Sequence, residues 1–280
     1  MEPEPGDKRV KVSRSDVTAA ARAVGIRPGD TVMFHSSLSS MGTVVGGPNA
    51  VIDGFLDAVG PTGTVAVPSL WYHHTDPPMD LADWDIDHSP SYHGLITETF
   101  RQRPDSLRSN NPTHSVSAIG ARAAELTRDH GRSGLRPCVF GDTAFARESP
   151  WQRLYEWNAA YCFIGVDFTV NTMGHLCETG FVQRALQGCS PGRRAELSAR
   201  VHRWQKPGVW PRHSFQAMGE GLAEMGLVCF GRVGSATLRC IRARVMVDST
   251  LAILEAEPEM WFSEDFRAWL AEAREGTVGR

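Results

Sequence analysis

Hydrophobic and polar positions divide the chain into short apolar runs separated by amphipathic stretches. "DTVMFHSS" (30–37) is an apolar run ending in small hydroxyls, which predicts a short buried strand. Further on, Val51, Ile52, Phe55, Leu56 and Val59 recur at helical spacing, with Pro48 suited to a first turn and Gly60 to a stop. "GTVAVPSL" (63–70) then reads as a second strand. A strand–loop–helix–strand unit predicts a parallel pair. Upstream, "SRSDVTAAARAVGI" reads as a helix with Ser13 or Ser15 as N-cap.

Downstream, helices are predicted in "GLITETFRQR", "ARAAELTRDH", "SPWQRLYEWNA", 172–187, "RVMVDSTLAILEA" and "SEDFRAWLAEAR". Strands are predicted in "SVSAIG", "AYCFIGV" and "GLVCFGRVGSATLRCIRA". Residues 71–94 and 131–148 show no period and read as long loops, which are uncommon unless functional. The expectation is a flexible tail over 1–12 and a single α/β domain over 13–280. A central mixed or parallel sheet would be flanked by helices, with long inserted loops.

Composition narrows the function. Of 280 residues, 41% are hydrophobic and 22% charged, a normal globular balance. A formal net charge of -3 lacks the basic excess that nucleic-acid binding requires. No apolar run is long enough to span a bilayer, and the N-terminus carries no signal-peptide core, so a soluble, cytoplasmic protein with no membrane partner is expected. The six cysteines form no C-x-x-C pair and read as free thiols. No feature of the sequence specifies an oligomeric state.

Three stretches offer chemistry. "HSSLSSMGTVVGGPNAVI" runs from strand-end hydroxyls through glycines into a helix start, whose free N–H groups and dipole suit phosphate. It matches neither a Walker A loop nor G-x-G-x-x-G, and a plain glycine turn is the competing reading. "NTMGHLCE" places His175 and Glu178 three residues apart, on one face of a helix that follows a strand. That spacing suits a general base with an orienting carboxylate, or an ordinary surface pair. "WYHHTDPPMDLADWDIDH" is rich in Asp and His; it suits attraction of a polycation, a metal site or a solvated acidic loop. Its spacings match no standard metal motif, so no metal is expected.

Together these segments resemble the aminoglycoside 3-N-acetyltransferase family over about residues 12–255. The blocks are "DTVMFHSSLSSMGTVVGGPNAVIDGFLDAVGPTGTVAVPSL", "SPSYHGLITETFRQRPDSLRSNNPTHSVSAIG" and "SPWQRLYEWNAAYCFIGVDFTVNTMGHLCE". The resemblance implies an antibiotic N-acetyltransferase-like fold, distinct from the smaller general N-acetyltransferase fold. It also implies transfer of acetyl from acetyl-CoA to the 3-amino group of an aminoglycoside, hence antibiotic resistance. His175 would be the catalytic base with Glu178 beside it. His35, Ser36, Ser37, Val44, Val45, Gly46 and Gly47, with Ser109, would bind coenzyme A. Ser69 stands where the family usually has threonine, keeping a hydroxyl near the thioester. Trp71, Tyr72, Asp76, Asp83 and Asp85 would shape the acceptor site for a polycationic small-molecule amine. Asn111 departs from the family's Arg-Ser-x-His-Pro, which has histidine there. The alternatives are a different small amine such as an aminophosphonate, a metal-dependent hydrolase, or an inactive coenzyme A-binding homologue.

Overall fold

The computed structural model describes residues 4–73, 75 and 77–275. Its first part contains β1 (Lys11–Val12), α1 (Arg14–Ala23), β2 (Thr31–Ser36), β3 (Thr43–Val44), α2 (Gly47–Val59), β4 (Thr64–Pro68) and α3 (Leu95–Arg101). The middle contains β5 (Leu107–Arg108), β6 (Val116–Gly120), α4 (Ala123–Thr127), α5 (Pro150–Glu156) and β7 (Ala160–Ile164). The last part contains α6 (Gly174–Gln187), α7 (Pro191–Ala199), α8 (Phe215–Glu224), β8 (Cys229–Val233), β9 (Ala236–Arg242), α9 (Ala243–Ala256), α10 (Pro258–Trp261) and α11 (Glu264–Glu275).

The seven-stranded sheet has the order β5-β6-β4-β2-β7-β9-β8. β2 pairs in parallel with both β4 and β7, and the remaining pairs are antiparallel, so the sheet is mixed. β2 is buried on both faces, which is why its sequence is a continuous apolar run. Val32 and Phe34 enter a core with α1 and α2, whereas Met33 faces the opposite core with α6, α9 and α11. Ser13 caps α1 in a capping box with Asp16, and Pro48 sits in the first turn of α2.

The expectation of a flexible tail through residue 12 is corrected for its second half. Lys11–Val12 pairs in parallel with Thr43–Val44, and the Gly6 N–H donates to Ser40 O at 2.8 Å. Val12 is buried in the α1–α2 core, which anchors the segment. The six cysteines are free, all buried except Cys229. No described helix is long and apolar enough to cross a membrane.

Because β4, β2 and β7 run parallel, their C-terminal ends share one edge of the sheet. β6 runs antiparallel, so the residues before it, His114 and Ser115, meet the same edge. Open α/β sheets place their sites there.

Candidate active site

α6 starts at that edge. After β7, Asp167 caps a short 3-10 turn at Phe168–Val170, and the chain turns into Gly174. Gly174 has a packing reason: a Cβ there would lie 2.6 Å from the Phe215 ring. Phe215 in turn stands edge-on to His175, ring centroids 4.9 Å apart.

His175 Nδ1 lies 2.8 Å from Glu178 Oε2, which also accepts from Trp210 Nε1 at 2.9 Å. His213 Nδ1 approaches the other carboxylate oxygen at 3.8 Å. The side chains of Glu178 and His213 are 4% and 1% exposed, against 23% for His175. A carboxylate oxygen only accepts, so the proton of a neutral His175 resides on Nδ1, leaving the Nε2 lone pair available as a base. Phe140, Phe145 and His114 close around the ring, with centroids 4.7, 6.0 and 5.9 Å away. Burial, opposed by the charge of Glu178, holds His213 below the usual histidine range. Cys177, next to His175 in the chain, is buried; burial and the neighbouring Glu178 charge push its thiol up, away from nucleophilic use.

The substitution at Asn111 has a structural account. Asn111 is buried, and its Oδ1 accepts from Thr113 N at 3.1 Å, Thr113 Oγ1 at 3.0 Å and His114 N at 2.7 Å. Its Nδ2 donates to Thr143 Oγ1 at 3.1 Å. The amide thus builds the turn that sets His114 beside His175. The Trp151 Nε1–H fixes the carbonyl of His114 at 2.9 Å. Burial, then the neighbouring His175, His130 and His93, push His114 well below the usual histidine range.

A cavity of about 640 Å³ opens at the other side of the edge, lined by Lys8, Ser36, Ser37, Val44, Gly47 and Leu95 among others. Four of the residues expected at coenzyme A therefore come together: Ser36, Ser37, Val44 and Gly47. The Ser36 hydroxyl is buried without a hydrogen-bond partner. Gly46, with φ 90°, is the N-cap of α2 and supplies no side-chain cap, so the first N–H groups of that helix are left for another acceptor. Val45 is exposed, and neither it nor Gly46 lines the cavity. His35 lies beneath, buried between strands, its Nε2 2.7 Å from the Tyr161 hydroxyl. That hydroxyl accepts from Met173 N at 3.3 Å, at the turn that launches α6. Burial, with a small contribution from His93, pushes His35 down to about 3.

Ser109 and Ser69 are both sealed inside. Ser109 Oγ lies 2.9 Å from His130 Nδ1, accepts from Val116 N at 2.9 Å, and does not line the cavity. Ser69 Oγ makes one long contact, 3.5 Å to Ser115 Oγ, while its carbonyl accepts from Ser115 Oγ and from Arg108. Arg108 also donates to Ser89 O and lies over the Trp84 ring, 4.4 Å from its centroid, tying the 71–94 loop to the sheet.

In that loop Trp71 is buried against Trp84, and Tyr72 packs its ring edge-on to Trp204, centroids 4.6 Å apart. Asp83 is exposed. Asp85 is exposed too, but its carboxylate accepts from the Asp87 and His88 N–H groups and pairs with His88 Nδ1 at 3.0 Å, so it shapes a turn. Asp76 lies outside the described residues. Among the described residues, no group of three or more His, Cys, Asp and Glu side chains is arranged to hold a metal ion.

Lys8, Trp210 and His213 had not been expected at the site. Trp210 lies 32 residues beyond Glu178, and no spacing rule links them. The one legible hint is a Trp and a His on either side of a proline in "GVWPRHSF".

A carboxylate-held imidazole and a cavity rich in hydroxyls and free amides, both at the C-terminal edge of the parallel strands, are equipment that suits acyl transfer. The comparisons with known proteins narrow it: the chain belongs to the aminoglycoside 3-N-acetyltransferase family, whose sequence profile matches residues 33–255. It is an acyltransferase with acetyl-CoA as cosubstrate. It is similar to the SPbeta prophage-derived aminoglycoside N(3')-acetyltransferase-like protein YokD of Bacillus subtilis, with 30% identity over 84% of this chain and 90% of the relative. The aminoglycoside N(3)-acetyltransferase VII of Streptomyces paromomycinus is 28% identical over 87% of this chain and 92% of its own. Among solved structures, AAC-VIa bound to sisomicin superimposes with a TM-score of 0.67 and 26% identity, covering 88% of this chain and 98% of that one.

Proposed function

We propose that the protein acetylates an amine of an aminoglycoside at its 3-position, with His175 as general base. The observation that carries this reading is the carboxylate-bound His175 Nδ1, which leaves Nε2 available on a side chain that stays 23% exposed among aromatic rings. His175 Nε2 takes a proton from the amine as the amine nitrogen bonds to the thioester carbonyl carbon. The carbon–sulfur bond then breaks and coenzyme A departs as its thiolate. Glu178 positions the ring and stabilises the imidazolium, and Trp210 positions Glu178. Ser69 is the hydroxyl assigned to the carbonyl oxygen from the resemblance; it is buried, and its Oγ–H is held only by a long hydrogen bond to Ser115 Oγ at 3.5 Å, which a carbonyl oxygen brought to that strand end would have to replace. The uncapped start of α2 and the orphaned Ser36 hydroxyl support phosphate and amide contacts of coenzyme A along Ser36–Gly47. The other residues assigned to coenzyme A from the resemblance, His35 and Ser109, act on this reading from beneath, through strand packing.

The acceptor assignment is supported by the names of the relatives and by the sisomicin complex of AAC-VIa. Trp71, Tyr72 and Asp83 are the loop residues proposed for the acceptor side. A second reading, transfer to a smaller non-antibiotic amine, is favoured by one observation: Asp85, an expected ammonium partner, is engaged in its own loop. Thiol release from acetyl-CoA against aminoglycosides and small primary amines separates the two. Turnover with aminoglycosides is the expected result; turnover confined to small amines would replace the acceptor while leaving the base in place.

A further inference from the structure

On the flank of α6 that carries Leu176, Gly180 and Gln183, next to the face of His175, lies a second cavity, of about 570 Å³, walled by α5, α6, α7, α9 and the 135–147 loop. Its lining carries five arginines, Arg136, Arg147, Arg184, Arg194 and Arg203, and a single carboxylate, Asp142. In a chain whose formal net charge is -3, this is a strong local reversal.

The arginines are incompletely paired. Arg136 is 7% exposed, and its Nη1 donates to Gln152 Oε1 at 2.8 Å and Phe145 O at 3.3 Å. Its Nε has no partner, and no described carboxylate lies within ion-pair range. A buried guanidinium without a counter-charge is costly unless something completes it. Burial and the neighbouring Arg147, opposed only by the more distant Glu156 carboxylate beyond Gln152, push it down to about 10. Arg194 donates only to the carbonyls of Leu186 and Gln187, at 3.1 and 3.0 Å. Arg184 pairs with Glu255 at 2.8 Å, and Arg203 approaches Asp142 at 3.2 Å without an aligned hydrogen bond. The rest of the lining includes Leu176, Leu186, Val247 and Leu251.

We propose that this cavity is a binding site, separate from the acetyl-transfer site, for a small organic anion: a phosphate or carboxylate on an apolar body. Arg136 at the bottom and Arg147 at the rim grip the anion, and the leucines and valine receive the apolar part. The inference is independent of which amine the enzyme acetylates.

Calorimetric titration and thermal melting of the full chain with phenyl phosphate, phenylacetate and benzylamine test it, each with and without saturating coenzyme A. The expected result is one site per chain for at least one anion, with an affinity unchanged by coenzyme A and a saturable rise in Tm. Binding of only one of the two anions identifies the head group. Arg147→Gln, an exposed position that should fold normally, should weaken binding roughly tenfold, as loss of one charge-assisted hydrogen bond does. Arg136→Met should weaken it further. The proposal is overturned if neither anion binds, if benzylamine binds as well as they do, if coenzyme A displaces them, or if Arg147→Gln binds like the wild type.

Discussion

The two sides of the proposed acetyl-transfer site are built by opposite means. On the side proposed for the cosubstrate, Ser36 to Gly47, the available groups belong to one contiguous loop: a helix start without a side-chain cap, a hydroxyl without a partner, and few charges. On the base side, His175 and Glu178 depend on Trp210 and His213 from a distant segment, and on a sleeve of aromatic rings. One side is made of backbone left unsatisfied for a ligand. The other is made of side chains already satisfied by each other. The first should yield changes in binding when altered, the second changes in rate.

Both sides nevertheless rest on buried neutral imidazoles, and acid should expose this with the largest effect. Burial pushes His35 to about 3, His130 to about 4, and His114 well below the usual range. Each is neutral in the folded protein but protonated in the unfolded chain below its ordinary pKa of about 6.5. The unfolded state then binds more protons, so this stability is complete above about pH 6.5 and is lost as pH falls from there toward the folded values. His35 and His130 together amount to roughly 4 kcal/mol by pH 5, at about 1.4 kcal/mol per pH unit each, and His114 adds in the same direction. Guanidinium unfolding at pH 7.5 and pH 5 measures it; equal stabilities would mean these rings are hydrated or paired in solution.

Next in size is His175→Ala. Loss of a positioned general base should lower kcat by about 10²–10⁴-fold while leaving KM for acetyl-CoA near wild type. A KM effect as large as the kcat effect would erase the division between the two sides.

That division also explains what could be read in the chain. The strand–loop–helix–strand unit was legible because β2 is buried on both faces and α2 keeps a strict apolar face, and the cosubstrate loop came with it as one uninterrupted stretch. His175 and Glu178 were legible as a pair because helical spacing puts them on one face. Trp210 and His213 were not, since only the tertiary fold brings residues 210–213 onto α6. Asn111 read as a loss from a family pattern; its three accepted hydrogen bonds show a working part of the turn that holds His114. The strand in the expected tail escaped notice because two residues carry no period, and its partner is Thr43–Val44. The loop carboxylates read as a field for cations, yet Asp85 is bound to the N–H groups just after it, a local competition that composition does not reveal.

Trp210→Phe probes the base side more gently. It keeps the ring but removes the N–H that Glu178 Oε2 accepts at 2.9 Å. Hydrogen bonds to charged groups are worth about 1.5–3 kcal/mol, so a fall in kcat of roughly tenfold is expected. The fall should be confined to kcat, with KM for acetyl-CoA near wild type. Unchanged turnover in a variant of normal Tm would reduce Trp210 to packing.

The smallest effect should come from Ser36→Ala, and it is the sharpest test of the cosubstrate side. The Ser36 hydroxyl has no hydrogen-bond partner within the protein, so removing it breaks nothing in the fold and relieves a buried unsatisfied group. Stability should stay level or rise by up to about 1 kcal/mol. If the hydroxyl is held for acetyl-CoA, KM for acetyl-CoA should rise about fivefold to tenfold, with kcat unchanged, as for loss of one neutral hydrogen bond. Thermal melts and initial rates at varied acetyl-CoA separate the two effects. A less stable variant with an unchanged KM would mean that Ser36 serves the strand end, and that the loop leaves no side-chain hydroxyl unsatisfied for its ligand.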